Sequence, residues 1–443
     1  MSVHHVLGIF MYKRFYFGHA LVCAALFSMA GSLSAQSQVT LNSEEAVQMA
    51  LANNPLLQAA HAVVSQAEAR FLQSGRLDNP ELGLSYAGDQ AFNNEGEQSF
   101  GLAFSQRFPV TNRLKLEKAL AQKEIEVARA EIDDEVRLLK KQVRLAVVAL
   151  ANTEAELELR MQLNDLNREF LDFIESRIQT GEASQVEADQ LRLTRYATQQ
   201  EARHLEHRQA SQQAALRELM GVEPEFGINL DYAFVVAASK LELSSFGQDL
   251  LHVHPAYRLG QLLLELSEGR IDSARAERWA DVAIEVFYEE ERGEDAPNGL
   301  GRDRFFGIGI SVPLPLHDRN QGNIAEQRAL RGEMQWRLQA TASRLRIEAS
   351  MQRKLVHAVY EQALEYESEV LALVERNIAA MQEAYANGQI SLTELFQAQA
   401  QRLKIQSTHI EVLSELANAR INWSAATGND LWTLATAAGT QTD

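Results

Sequence analysis

Residues 110–180 contain neither glycine nor proline. Leu, Glu, Lys, Arg, Gln and Ala dominate the stretch, and all are good helix formers. Apolar residues recur through it at helical spacing, as at Leu159, Leu163, Leu166, Phe170 and Phe173. One helix over this span would reach about 105 Å at about 1.5 Å per residue. That exceeds any compact domain and leaves a coiled coil, a membrane helix or a helical repeat. Glu124, Glu126, Glu131, Asp133, Asp134 and Glu135 fall too close together for a membrane helix. The helix must therefore bury its apolar stripe against other long helices.

The N-terminus reads as a secretory signal over residues 1–35. Lys13 and Arg14 supply the positive region, residues 20–30 are mostly small and apolar, and Ser32, Ser34 and Ala35 offer cleavage residues. The chain's formal charge is -18, and processing would take Lys13 and Arg14 with it, leaving about -20. Such an acidic chain argues against nucleic acid as a partner, because phosphate binding needs clustered Lys and Arg. Cys23, the only cysteine, lies within the signal. A mature chain without cysteine has no disulfide and no thiolate metal site. No later stretch resembles an apolar helical span, so a membrane crossing after export requires strands.

Taken in order, residues 40–78 read as helix broken at Pro55. The period then changes to two: Leu82, Leu84 and Tyr86 alternate with Gly83 and Ser85, and Phe100, Leu102 and Phe104 with Gly101, Ala103 and Ser105. Strands are expected at about 81–88 and 99–108, then a long helix at about 111–180, a turn at Gly181 and a helix over 183–220. Residues 222–254 read as an irregular connector. The same plan returns after Pro255: strands at about 280–289 and 304–312, a long helix at about 322–387 with Gly332 as its weak point, a turn at Gly388, and a helix over 390–427. Residues 429–443 are a C-terminal tail.

This is an internal duplication, covering 36–221 and 255–428. Asn54-Pro55 matches His254-Pro255, Phe100-Gly101 and Pro109 match Phe306-Gly307 and Pro315, and Gly181, Glu187, Gln190, Arg195 and Gly221 match Gly388, Glu394, Gln397, Arg402 and Gly428. The runs between the paired glycines, 182–220 and 389–427, are equal in length.

Each half supplies one β-hairpin, and the resulting strands leave open edges. Their alternation sets large apolar residues on one face and Gly83, Ser85, Gly101, Ala103, Ser105, Gly307, Gly309 and Ser311 on the other. In an outer-membrane barrel the apolar face meets lipid and the small polar face a lumen. Three copies would pool their strands into a closed twelve-stranded barrel, with the long helices continuing away from the membrane as a tube about 100 Å long. The competing class is a periplasmic coiled-coil scaffold, which leaves the alternating strands and the signal unexplained.

The sequence resembles the outer-membrane efflux protein family, the TolC-like channels. The resemblance covers nearly the whole mature chain and rests on the duplicated plan, Leu77-Asp78-Asn79-Pro80-Glu81-Leu82, Phe104-Ser105-Gln106-Arg107-Phe108-Pro109, Ser311-Val312-Pro313-Leu314-Pro315-Leu316, and Asp318-Arg319-Asn320-Gln321-Gly322-Asn323. These phrases look most like the cobalt–zinc–cadmium branch. The resemblance implies a homotrimer with a transmembrane β-barrel and a periplasmic α-barrel, in the outer membrane of a Gram-negative bacterium. It implies as partners a periplasmic adaptor, an inner-membrane proton-driven pump of the resistance–nodulation–division type and outer-membrane lipid. It implies a passive exit duct for divalent heavy-metal cations, with drug or solvent efflux and type I secretion as other cargoes of the same duct.

The residues singled out follow from this plan. By the resemblance, adaptors dock at the glycine-containing turns, here Gly181, Glu182, Ala183 and Ser184, and Gly388, Gln389, Ile390 and Ser391. Glu394 matches a pore-entrance acid of relatives, while Gln397 stands where a second acid is often found. Glu187 and Asp189 lie in the equivalent region of the first half. Lumen-facing acids in three copies form a ring that attracts cations; the plain alternative for each is a solvated helix face. Arg195 and Arg402 are candidates for interhelix ion pairing. His204 with His207, and His252 with His254, fall short of the three or four protein ligands zinc takes. No phosphate loop, nucleophile elbow or complete dinucleotide fingerprint occurs, so neither an enzyme nor a cofactor is expected.

Overall fold

The structure is a computed structural model that describes residues 39–91, 95–236, 247–295 and 299–428. The signal at 1–35, the tail at 429–443 and part of the connector lie outside the described residues. The chain runs through β1 (Val39–Leu41), α1 (Ser43–Asn53), α2 (Pro55–Gln73), β2 (Glu81–Gly88), β3 (Gln98–Phe108), α3 (Arg113–Gln179), α4 (Gln185–Met220), β4 (Ile228–Leu230), α5 (Gln248–Val253), α6 (Pro255–Ala276), β5 (Val282–Asp295), β6 (Gly299–Ser311), α7 (Gln321–Glu365), a π-helical turn (Tyr366–Val370), α8 (Leu371–Ala386) and α9 (Leu392–Thr427). It is mainly helical with one four-stranded antiparallel sheet in the order β2-β3-β5-β6. The two hairpins meet along β3 and β5, with Phe104 opposite Val286 and Phe108 opposite Val282.

The helix α3 organises the rest. It packs against α1, α2, α4, α6 and α9. A core near its middle joins Ala46, Val47 and Ala50 of α1 to Val143, Val147 and Leu150 of α3 and to Leu216 and Met220 of α4. Burial of each Val or Leu there contributes about 1.5–3 kcal/mol. A second core joins Val356, Val359 and Tyr360 of α7 to Val412, Leu413, Leu416 and Trp423 of α9. A small parallel pair, β1 with β4, closes the first core, Leu41 opposite Leu230. Sequence periodicity had marked neither strand, since three residues are too few to show a period.

Two latches tie the helix ends together. Asn54 caps α2 by accepting from the Leu56 and Leu57 N–H groups at 2.9 and 3.1 Å, and its Nδ2 donates to the Leu219 carbonyl of α4 at 2.9 Å. His254 caps α6 in the same way: Nδ1 accepts from Ala256 N–H at 3.2 Å, and Nε2 donates to the Ala425 carbonyl of α9 at 3.3 Å. Both partner helices end on a left-handed glycine, Gly221 at φ 65° and Gly428 at φ 69°. A side chain at Gly428 would press on His254 Cδ2 at 3.1 Å.

Two expectations are corrected. The strands set at about 280–289 and 304–312 run over Val282–Asp295 and Gly299–Ser311. The added length is charged rather than apolar, so hydrophobic alternation ends before the hairpin does. Cross-strand pairing continues there, with Glu290 held by Arg304 at 3.1 Å and Arg302 at 3.6 Å. The second long helix is not uniformly α-helical. Its interruption is the π turn, not Gly332, which sits inside α7 in open space. At that turn Ser368 Oγ bonds the Leu364 carbonyl at 2.7 Å, and Tyr366 stacks on His409 of α9 at 5.7 Å.

Candidate functional site

The two helix turns share one construction. After α3, Gly181 at φ 78° donates to the Ile178 carbonyl at 3.0 Å and Glu182 N–H to the Arg177 carbonyl at 2.9 Å. After α8, Gly388 at φ 68° donates to Tyr385 at 2.9 Å and Gln389 to Ala384 at 2.8 Å. These are paired left-handed stops of the Schellman type, which satisfy carbonyls the helix end leaves bare. Ser184 then caps α4 through the Glu187 N–H at 3.3 Å, and Ser391 caps α9 through the Glu394 N–H at 3.3 Å. The two glutamates return the bond to the serine backbone, at 3.5 Å from Glu187 and 2.7 Å from Glu394.

Glu187 and Glu394 thus close reciprocal capping boxes. The Ser-x-x-Glu spacing carried that signal in the sequence. The backbone N–H of Ser391, with its hydroxyl, pulls the Glu394 carboxyl below the usual carboxylate range, so this exposed group is ionised at neutral pH. Ala183 belongs to the apolar cluster under the first turn with Ala188, Leu171 and Ile174. Ile390 and Leu395 occupy the same positions relative to Ser391. Phe170 of α3 stacks on Phe396 of α9 at 4.3 Å, joining the two helix pairs just above the turns.

Asp189 bonds Arg192 at 2.7 Å, and Arg192 also pairs with Glu175 of α3. Glu182 pairs with Arg177 at 3.2 Å. Arg195 and Arg402 are half-buried, and the Nε of each is enclosed with no hydrogen-bond acceptor among the described residues. No ion pair forms at either one within the protomer's described residues. Nor does any group of three or more His, Cys, Asp and Glu among the described residues offer a metal site.

The second feature is the sheet. Its register aligns side chains in rows: Leu82, Phe104, Val286 and Ile308; then Leu84, Leu102, Tyr288 and Phe306. These residues form one continuous apolar face. It is bare on the protomer, with Leu84 at 70 % and Phe306 at 74 % exposure. The opposite face carries Gly83, Ser85, Gly101, Ala103, Gly307 and Gly309, together with Glu285, Phe287 and Glu289. From Phe108 to Phe100, β3 rises about 27 Å at about 3.4 Å per residue, or about 21 Å along a barrel axis at about 40° tilt. In its uppermost row the apolar face runs from Tyr86 and Phe100 to Glu290 and Arg304. No described helix is long and apolar enough to cross a membrane.

The fold is that of outer-membrane channel proteins. The crystal structure of CusC, described as forming a transmembrane channel, aligns at a TM-score of 0.70 with 18% identity, over 88% of this chain and 93% of that one. A membrane protein from Pseudomonas aeruginosa aligns at 0.71 with 14% identity, over 87% and 93%. The CmeC outer membrane channel of Campylobacter jejuni aligns at 0.70 with 14% identity, over 90% of each chain. Residues 46–222 match the outer membrane efflux protein family. A search of curated proteins gave no match.

Proposed function

We propose that the chain is the outer-membrane channel subunit of a tripartite efflux system, acting as a homotrimer and handing cargo from an inner-membrane pump and periplasmic adaptor to the exterior. The bare apolar face of the sheet carries this reading. Its height suits the roughly 25 Å apolar band of an outer-membrane barrel, and no described residue of the protomer covers it. The sheet's outer edges, on β2 and β6, are unpaired within the described residues. Pairing β6 of one copy with β2 of the next removes every edge when three copies close twelve strands. The long helices then form the periplasmic stem, and both turns lie at its far end, where Gly181, Glu182, Ala183 and Ser184 and Gly388, Gln389, Ile390 and Ser391 face the adaptor.

The cargo class is divalent heavy-metal cations. The acidic chain and the ionised Glu394 support passage of cations, and the Asp318-Arg319-Asn320-Gln321-Gly322-Asn323 phrase supports the metal branch. The test begins with outer membranes from cells exporting the full chain. A band of trimer size that collapses to the 49.5 kDa chain, less its signal, on boiling is expected, with stepwise conductance after purification into planar bilayers. A soluble monomer would refute the channel. Deletion in the native host is expected to lower zinc, cobalt or cadmium tolerance; lost drug tolerance with intact metal tolerance would reassign the cargo.

A further inference from the structure

A basic cavity of about 300 Å³ opens where α3 meets the start of α6 and the end of α9. Arg137, Lys140, Lys141 and Arg144 of α3 and Arg258 of α6 line it, against one lining acid, Asp133. The chain around it has a formal charge of -18. Two of the cations have structural duties. Arg137 pairs with Asp134 at 2.8 Å and donates to the Ala425 carbonyl at 2.9 Å, where a cation suits the C-terminal end of α9. Arg144 is buried and pairs with Glu44 of α1 at 3.1 Å. Lys141 and Arg258 have no such duty, for neither side chain has a hydrogen bond or ion pair among the described residues. Val136, Val253, Pro255 and Ile421 give the cavity an apolar wall.

We propose that this cavity binds a small organic anion carrying two or more carboxylates. Like charges around one cavity repel each other, and an anion between them turns repulsion into attraction. There is room for about ten non-hydrogen atoms at about 30 Å³ each, the size of succinate or citrate. Lys141 and Arg258 stand on different helices, so separated carboxylates serve both while the carbon skeleton lies on the apolar wall. Inorganic phosphate would leave that wall bare. Other occupants are poorly placed. Lys140 is about 40 Å along α3 from Arg113 at the sheet end, at about 1.5 Å per residue, too far for a lipid headgroup. α2 and α4 flank α3 on one side, and α7 flanks α6 and α9 on the other, so a second copy docking at either flank does not cover the cavity. The bound anion would brace α3 of the first half against α6 of the second, whether or not the chain forms a channel.

The experiment is isothermal titration calorimetry of citrate into the full exported chain in detergent, at fixed ionic strength. Saturable, stoichiometric binding is expected. Lys141→Gln/Arg258→Gln is expected to weaken it by about tenfold or more, the loss of two charge-assisted contacts. Melting without citrate is expected to stay at the wild-type value, because neither side chain gives up a hydrogen bond. Arg346→Gln/Lys354→Gln removes the same charge from exposed positions of α7 and is expected to bind as the wild type does. Equal weakening in both variants overturns the inference, since net charge rather than the cavity would then hold the anion. So does a wild type with no saturable binding. Binding that appears only after removal of residues 429–443 also overturns it, giving the cavity to the chain itself. A chain that binds citrate but forms no channel leaves this inference standing; a working channel that takes up no citrate refutes this inference alone.

Discussion

His254 does in the second half of the chain what Asn54 does in the first, but with a ring that titrates. Its Nδ1 must accept and its Nε2 must donate, so only the neutral tautomer fits. Burial, with Arg137 close by, lowers its pKa from 6.5, while the Ala425 carbonyl, Asp134 and Glu348 oppose the shift weakly. The folded state thus binds this proton less readily than the unfolded chain. The latch is fully present above the unfolded value of about 6.5 and is lost as pH falls from there through the lowered folded value. We expect thermal stability of the wild type to drop over that window and His254→Asn, which copies Asn54, to drop less; melting followed by circular dichroism between pH 7.5 and 4.5 decides it. His254→Ala should cost about 2 kcal/mol above neutral pH, from the lost cap and the space left behind, and less as pH falls and the wild type loses the latch. Glu394 poses a separate question, because it is both a cap and an exposed negative charge. Glu394→Gln keeps the capping geometry and removes the charge. Reduced cation preference in bilayer reversal potentials, with unchanged melting, is the outcome a pore-entrance acid requires; unchanged selectivity would leave the residue as a cap.

Among the elements, the π turn at Tyr366–Val370 separates the two halves most clearly. Such a turn absorbs one more residue than an α-helical turn. Deleting the exposed Glu367 should convert it to α-helix without rotating α8 against α7, and the heat-modifiable trimer should persist. Deleting Glu158 from the regular part of α3 should rotate everything beyond it by about 100°, pull Leu171 and Ile174 from their cluster and abolish the trimer. Equal loss in both variants would show that the π turn is no slack element. The helices were legible in the sequence because long glycine-free, proline-free runs admit little else, and the turns because glycine marks where a left-handed residue is needed. The π turn was not, since it has no residue signature. The charged ends of β5 and β6 escaped because period-two reasoning follows apolar residues. The site was legible only as positions. Gly181, Gly388, Glu187 and Glu394 fall at the turns, yet each also completes a cap, so residue type alone does not separate docking or selectivity from helix termination. Asn320 carries the same lesson for cargo. It adopts φ 57° and bonds the Ala274 carbonyl at 2.9 Å, so that part of the metal-branch phrase is spent on starting α7.

For the molecule as a whole, everything turns on which side of one sheet meets which solvent. A protomer with Leu84, Phe104, Ile308 and Phe306 facing water would expose an apolar patch that soluble monomers do not sustain. Helix packing does not relieve it, because the cores lie along α3 and α9, away from the sheet. Two environments are left: another protein layer or the hydrocarbon of a membrane. Neighbouring positions on β6 distinguish them, since Ile308 and Gly309 point to opposite faces. Ile308→Arg places a cation near the middle of the apolar band and should cost about 2–4 kcal/mol in lipid. Gly309→Arg enters the small face, where a Cβ meets only Glu285 Cβ at 3.8 Å and the new cation lies near an acid, so a cost within about 0.5 kcal/mol is expected. Trimer recovered from outer membranes and its urea midpoint in vesicles give both numbers. Arginine tolerated equally on the two faces would mean that both are wetted, and the barrel would have to be abandoned. A large cost for Ile308→Arg alone, growing as the lipid chains are lengthened, would locate that face in hydrocarbon rather than against protein, because only a lipid contact responds to bilayer thickness.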